Sequence, residues 1–171
     1  GPQIEIYAKK GDPNKYELPK PILYRGGCNL SFAGLKTAVL RIAKQIKTDQ
    51  EKYDLAASFQ KTVEQILYKK SKVAIKEFKN INENNNNTLV VAGGVAANKK
   101  IRESLKKLCI EENFIAIFPP MNLCGDNAAM IGMVGLEKYK INQFSKLDHP
   151  AKPRWPLDEE AKFLKGAGVK L

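Results

Sequence analysis

Two stretches of the sequence carry residue types and spacings suited to chemistry. The first is VVAGGVAAN, residues 90–98, where an apolar run meets Gly93 and Gly94 and then passes into a helical pattern. Glycines at such a turn let a ligand approach the backbone closely, and a helix start favours polar or anionic groups. Ligands of open α/β sheets bind beyond the carboxyl ends of the strands, which is where this turn falls. The same residues also read as a tight strand-to-helix turn with Asn98 as a solvated helix residue. The second stretch is FPPMNLCGDNAAMIG, residues 118–132, with Asp126 and Asn127 ahead of a helix of small residues. A carboxylate there can hold a metal ion, or a phosphate through a metal. Capping alone also explains Asp126, because Asp and Asn are preferred helix N-caps. Glu5 offers a further pair of readings. It lies in the first turn of a helix, where the dipole favours its charge, and a carboxylate can also accept both hydroxyls of a ribose.

Several other chemistries find no residues here. The glycine turn is not GxGxxG, and no GxxxxGK occurs, so neither a Rossmann nor a P-loop site is indicated. His149 is the only histidine and sits in a proline-rich tail, where it reads as a surface residue. It has no second histidine for a metal pair or an HExxH site. No Ser/His/Asp or Cys/His arrangement is present.

The elements that must position these residues follow from period and punctuation. Residues 2–10 read as a short helix with proline at its start and Gly11 at its end. Residues 12–30 are rich in proline and glycine and read as loop. A helical pattern over 34–47 places Leu35, Val39, Ile42 and Ile46 on one face. A longer one over 51–78 carries Val63, Ile66, Leu67, Ala74 and Phe78. The run NINENNNN at 80–87 is low complexity and reads as a solvated loop. The period then changes. Residues 89–92 and 114–118 read as short buried strands, each followed by a helix, which predicts a parallel α/β sheet. Gly132 and Gly135 would let the last of those helices pack closely on a neighbour. The prolines at 150, 153 and 156 rule out one long helix in the tail. The expected divisions are 1–30 as the start of a lobe with its loop, 31–79 as a helical subdomain, and 80–87 as the loop. An α/β lobe at 88–158 and a tail at 159–171 complete them.

Bulk composition narrows the class. The net charge of +11 is carried almost entirely by lysine. It fits a polyanionic partner such as RNA as well as it fits solvated helix faces. Three cysteines, at 28, 109 and 124, form neither a disulfide framework nor a CxxC site. With no leader and no apolar run near the roughly 20 residues that span a bilayer, a cytoplasmic protein with no membrane partner is expected.

Taken together, the motifs resemble one family. SFAGLKTAV at 31–39, VVAGGVAAN, FPPMNLCGDNAAMIG and PRWPL at 153–157 stand in the order found in TsaD-family proteins. The opening residues 1–5, GPQIE, look like the end of that family's PGGP turn. Ala33 and Ala96 depart from a common serine, and Gly125 from a common threonine or serine. The resemblance implies an α/β fold, a ribonuclease-H-like lobe of the actin-like ATPase superfamily with a helical subdomain. It implies transfer of threonylcarbamoyl from its adenylate to N6 of the adenosine next to the tRNA anticodon. Gly1, Glu5, Gly93, Gly94 and Asn98 would then contact the nucleotide. Asp126 would bind one divalent metal ion, iron or zinc. The remaining ligands would be a histidine pair in a first half that this sequence lacks, so the chain is expected to be a second half, inactive alone. TsaB-like and TsaE-like subunits are the implied partners. A non-catalytic nucleotide- or subunit-binding paralogue module of the same superfamily is the alternative.

Overall fold

The computed structural model describes residues 1–81 and 87–151. Residues 82–86 of the asparagine run, the PRWPL segment at 153–157 and the tail at 159–171 lie outside the described residues. The chain falls into two compact units, divided between Asp126 and Asn127.

In the first unit, α1 spans Pro2–Ala8, α2 Leu35–Ala43 and α3 Asp49–Ile81. Strand β1 at Thr88–Val90 leads through a 3-10 turn at Gly94–Ala97 into α4 at Lys99–Glu111, and then to β2 at Ile115–Ile117. The two strands pair in parallel with Thr88 opposite Ile115, Leu89 opposite Ala116 and Val90 opposite Ile117. The expected strand-helix-strand unit is therefore present, with α4 as its crossover. A second 3-10 turn, Met121–Leu123, follows β2.

The core lies between α3, α4 and one face of this sheet. Ile75, Ile101, Leu105, Leu108, Cys109 and Phe114 are buried there, with Leu89, Val91, Ala116 and Phe118 packed on them from the sheet. The opposite face is open: Val90, Ile115 and Ile117 are 62%, 66% and 49% exposed. This corrects the expectation of fully buried strands. Side chains alternate across a strand, and among the described residues only the face toward α3 and α4 is covered.

Helix α3 starts on a capping box. The Thr48 hydroxyl accepts the Glu51 N–H at 3.2 Å, and the Glu51 carboxylate accepts the Thr48 N–H at 3.0 Å. One turn on, Asp54 and Ser58 are buried polar residues that fasten the loop after α1. Asp54 Oδ1 accepts the Asp12 N–H and the Gln50 side-chain amide, each at 2.8 Å. The Ser58 hydroxyl accepts the Tyr16 N–H and donates to the Asp12 carbonyl. Lys70, only 3% exposed, donates to the Arg25 and Gly27 carbonyls and so holds the next loop.

These contacts make a pH prediction. The Asp12 N–H, then Gln50, hold the Asp54 carboxyl below its ordinary value. The Lys47 and Thr48 N–H groups do the same for Glu51, and Lys79 and Lys72 for Glu112. A carboxylate with a depressed folded pKa stabilises the fold above its unfolded value and loses that contribution as pH falls through the folded one. Melting temperature should therefore be flat from neutrality to about pH 5 and fall below about pH 4. Melts at pH 7, 5 and 3 check this; an increase in stability at pH 3 would contradict it.

In the second unit, α5 spans Ala128–Lys140. Its Asn127 side chain accepts the Met130 N–H at 3.1 Å and is the N-cap. This corrects the reading of Asp126 as a cap. Met130, Ile131, Met133 and Val134 are exposed, and a Cβ on Gly132 or Gly135 would meet nothing within 4 Å. Tyr139 and Phe144 pack edge to face with centroids 5.9 Å apart.

Candidate functional site

Gly93 leaves β1 with φ +88°, a backbone conformation that L side chains rarely adopt. A Cβ on Gly93 or Gly94 would meet nothing within 4 Å, so the turn is open on that side. After the 3-10 turn the chain straightens at Asn98, with φ −68° and ψ 119°, and α4 begins. Asn98 is thus a helix cap and not a solvated helix residue. Its Oδ1 accepts the Ile101 N–H at 3.1 Å, and its Nδ2 donates to Gln60 Oε1 at 2.8 Å. The amide keeps one N–H and one lone pair for a ligand.

Glu5 arrives at the same helix start from the other end of the sequence. It lies in the first turn of α1, yet its Oε1 accepts the Lys99 N–H at 3.1 Å. Asn98 and Glu5 therefore satisfy two of the otherwise unpaired N–H groups that open α4. The structure brings Glu5 and Asn98 to one helix start, and the Gly93-Gly94 turn leads into it. Gly1 is the N-cap of α1; its carbonyl accepts the Ile4 N–H at 3.0 Å.

The loop after β2 carries the other candidate. Pro119 and Pro120 end the strand, the 3-10 turn follows, and Cys124 is buried with 3% exposure. Asp126 is exposed. Because Asn127 caps α5, the Asp126 carboxylate is not taken up by capping, and it fits a divalent cation as one ligand. Among the described residues no three His, Cys, Asp or Glu side chains stand together as a metal set. Asp126 alone does not complete a coordination sphere.

A groove starts at the Glu5–Lys99 contact and runs between α3 and α4. Its first part has a volume of about 550 Å³ and includes Lys61, Lys99 and Lys100. A second part of about 520 Å³, sharing Glu64, Gln65, Lys100 and Glu103 with the first, adds Lys20, Lys69 and Lys107. Lysines outnumber the lining carboxylates of Glu5, Glu64 and Glu103.

Comparison with known proteins bears directly on this arrangement. Residues 1–133 match the model of the family described as TsaD: tRNA N6-adenosine threonylcarbamoyltransferase. The chain belongs to the TsaD family. It is 78% identical over its whole length to the tRNA N6-adenosine threonylcarbamoyltransferase of Pelagibacter ubique (strain HTCC1062), covering 48% of that protein. Relatives of the same name in Ruegeria sp. (strain TM1040) and Rickettsia massiliae (strain Mtu5) are 43% and 46% identical, over 99% and 93% of this chain. They are covered to 48% and 47% of their own length. The chain spans about half the length of the curated relatives it matches.

Of the motifs that resemble the TsaD family, VVAGGVAAN and the start of FPPMNLCGDNAAMIG thus follow the ends of the two parallel strands, whereas SFAGLKTAV leads into α2. Motif reading did not reveal how Glu5 reaches α4, since 94 positions separate it from Lys99. It also missed Gln60, which orients Asn98. Gln60 sits on a long helix among many polar residues, and nothing local marks it. Arg102, whose guanidinium donates to the Ala96 and Pro119 carbonyls, was missed as well. A signal did exist for it, an arginine one helical turn past Asn98 in a chain whose positive charge is otherwise nearly all lysine.

Proposed function

We propose that this chain forms the second half of a tRNA N6-adenosine threonylcarbamoyltransferase, built on a ribonuclease-H-like lobe of the actin-like ATPase superfamily. The observation that carries the reading is the 78% identity, along the entire chain, to a relative bearing that name. The relatives' names favour an enzyme over a non-catalytic paralogue module. The open face of the parallel strands supports the fold assignment, because parallel sheets are ordinarily covered on both faces and this one would be completed by further elements. Among the described residues no helix is long and apolar enough to cross a membrane. The cytoplasm is the proposed place of work, since its substrate in this reading is tRNA.

In this reading Gly1, Glu5, Gly93, Gly94 and Asn98 hold the adenylate. The Asn98 amide offers its remaining N–H to it, and the Glu5 carboxylate accepts ribose hydroxyls through its remaining lone pairs. Asp126 supplies one ligand to iron or zinc, and the other ligands come from outside this chain. When bound, the metal polarises the group under attack as a Lewis acid. The lysine-lined groove, which opens beside Glu5, takes the tRNA phosphate backbone. TsaB-like and TsaE-like subunits complete the assembly.

The test supplies the whole transferase and its partner subunits with threonylcarbamoyl adenylate and tRNA, and looks for threonylcarbamoyladenosine in the hydrolysed tRNA. Product is expected; adenylate binding with unmodified tRNA would overturn the reading. At subsaturating tRNA the rate should fall as salt rises, because phosphate binding releases counterions. Neutralising Lys100 and Lys107 to glutamine should flatten the log-log slope by roughly one for each phosphate that is no longer neutralised. An unchanged slope would remove the groove from the tRNA path.

A further inference from the structure

We propose that Arg102 is a positioning residue that ties the glycine turn before Asn98 to the loop before Asp126, so that the two loops move as one. What the loops hold rests on the transferase reading above; the tie itself rests on geometry. Arg102 lies one turn into α4, and its own N–H bonds the Asn98 carbonyl at 3.0 Å. Its guanidinium turns back over both loops. Nε donates to the Ala96 carbonyl in the glycine turn. Nη2 donates to the Pro119 carbonyl at 2.7 Å and to Cys124 Sγ at 2.9 Å in the second loop. The guanidinium carbon stands 4.9 Å from the Phe118 ring centroid, which fixes the fork from one side.

The chemistry explains why an arginine occupies the position. Proline carries no N–H, so residues 119 and 120 contribute acceptors to the loop but no backbone donors. A planar guanidinium with several fixed donors serves acceptors on two loops at once and still stacks on a ring. A lysine ammonium is a single flexible point of charge and cannot hold that geometry. The consequence is linkage. A ligand that orders the Asn98 turn also orders the Asp126 loop through Arg102, and the reverse.

The experiment uses the intact transferase and the Arg102→Lys variant, with Arg102→Met read the same way to cover a failure of the first to fold. Site-resolved iodoacetamide labelling follows Cys124 under the clamp and Cys109 in the core, the latter 1% exposed. Calorimetry follows AMP binding with and without the divalent metal. The expected result is Cys124 labelling about tenfold faster with Cys109 unchanged, the scale of one missing charge-assisted hydrogen bond. The expected AMP result is that metal strengthens binding in the parent and no longer does so in the variant. Unchanged Cys124 labelling would overturn the proposal. So would an equal rise at Cys109, which would mean general loosening, or a metal effect on AMP that survives the substitution. A parent protein that binds neither AMP nor metal would sink the transferase reading instead. Selective Cys124 labelling would then still decide the tie.

Discussion

Gly11→Ala should destabilise the first unit by about 3 kcal/mol, in the upper part of the range for overpacking. A Cβ at residue 11 would lie 2.1 Å from the Tyr53 carbonyl oxygen, 2.2 Å from its carbon and 2.5 Å from the Asp54 nitrogen. All three are backbone atoms of α3, so no side chain can swing aside. The helix or the loop must move. That movement also pulls at the Asp12–Asp54 and Tyr16–Ser58 hydrogen bonds, which hold the loop after α1. Gly26→Ala is the matched control, because a Cβ there meets nothing within 4 Å. It should be neutral, or stabilising by a few tenths of a kcal/mol through the unfolded chain. Urea unfolding of both variants beside the parent checks the pair. Equal midpoints for the two variants would show that residue 11 does not press on α3.

Asp126→Asn in the whole transferase should remove metal and tRNA modification together while leaving the melt nearly unchanged. In the proposed reading the loss of metal affinity exceeds the roughly 10–100-fold that follows removal of an outer-shell partner, because a charged ligand itself would be removed. The position of the cap sharpens this test. Since Asn127 caps α5, Asp126→Ala removes no cap either, and both substitutions probe the carboxylate alone. Asn127→Ala supplies the complementary control. It should cost about 1 kcal/mol of α5 stability and leave metal content intact. Full metal occupancy and unchanged modification in Asp126→Ala would show that this aspartate is not a ligand.

Much of the architecture was legible because local periodicity reports local structure. The stripe through Val63, Ile66 and Phe78 marked α3, and the change of period after the asparagine run marked strands at 89–92 and 114–118, which the structure places at 88–90 and 115–117. The Gly93-Gly94 pair marked the turn that a positive φ requires. The polar side of the packing was not legible. Asp54, Ser58, Thr62 and Lys70 are buried on α3, where a helical pattern alone assigns such residues to solvent. Asp54, Ser58 and Lys70 meet loop carbonyls and N–H groups that arrive from residues 12–27, while Thr62 donates back to the Ser58 carbonyl, and no periodicity encodes these partners.

The candidate site divides in the same way. Motif order and spacing alone determined the family resemblance, the glycine turn, and the choice of Asn98 and Asp126 as the residues to watch. Only the tertiary structure decided that Glu5 and Asn98 meet at one helix start, that Asn127 and not Asp126 caps α5, and that Arg102 bonds both loops. The reason is physical. A sequence pattern fixes which face a side chain leaves from, whereas the partner it meets is set by how distant segments pack, and hydrogen bonds form only where that packing brings donor and acceptor within about 3 Å.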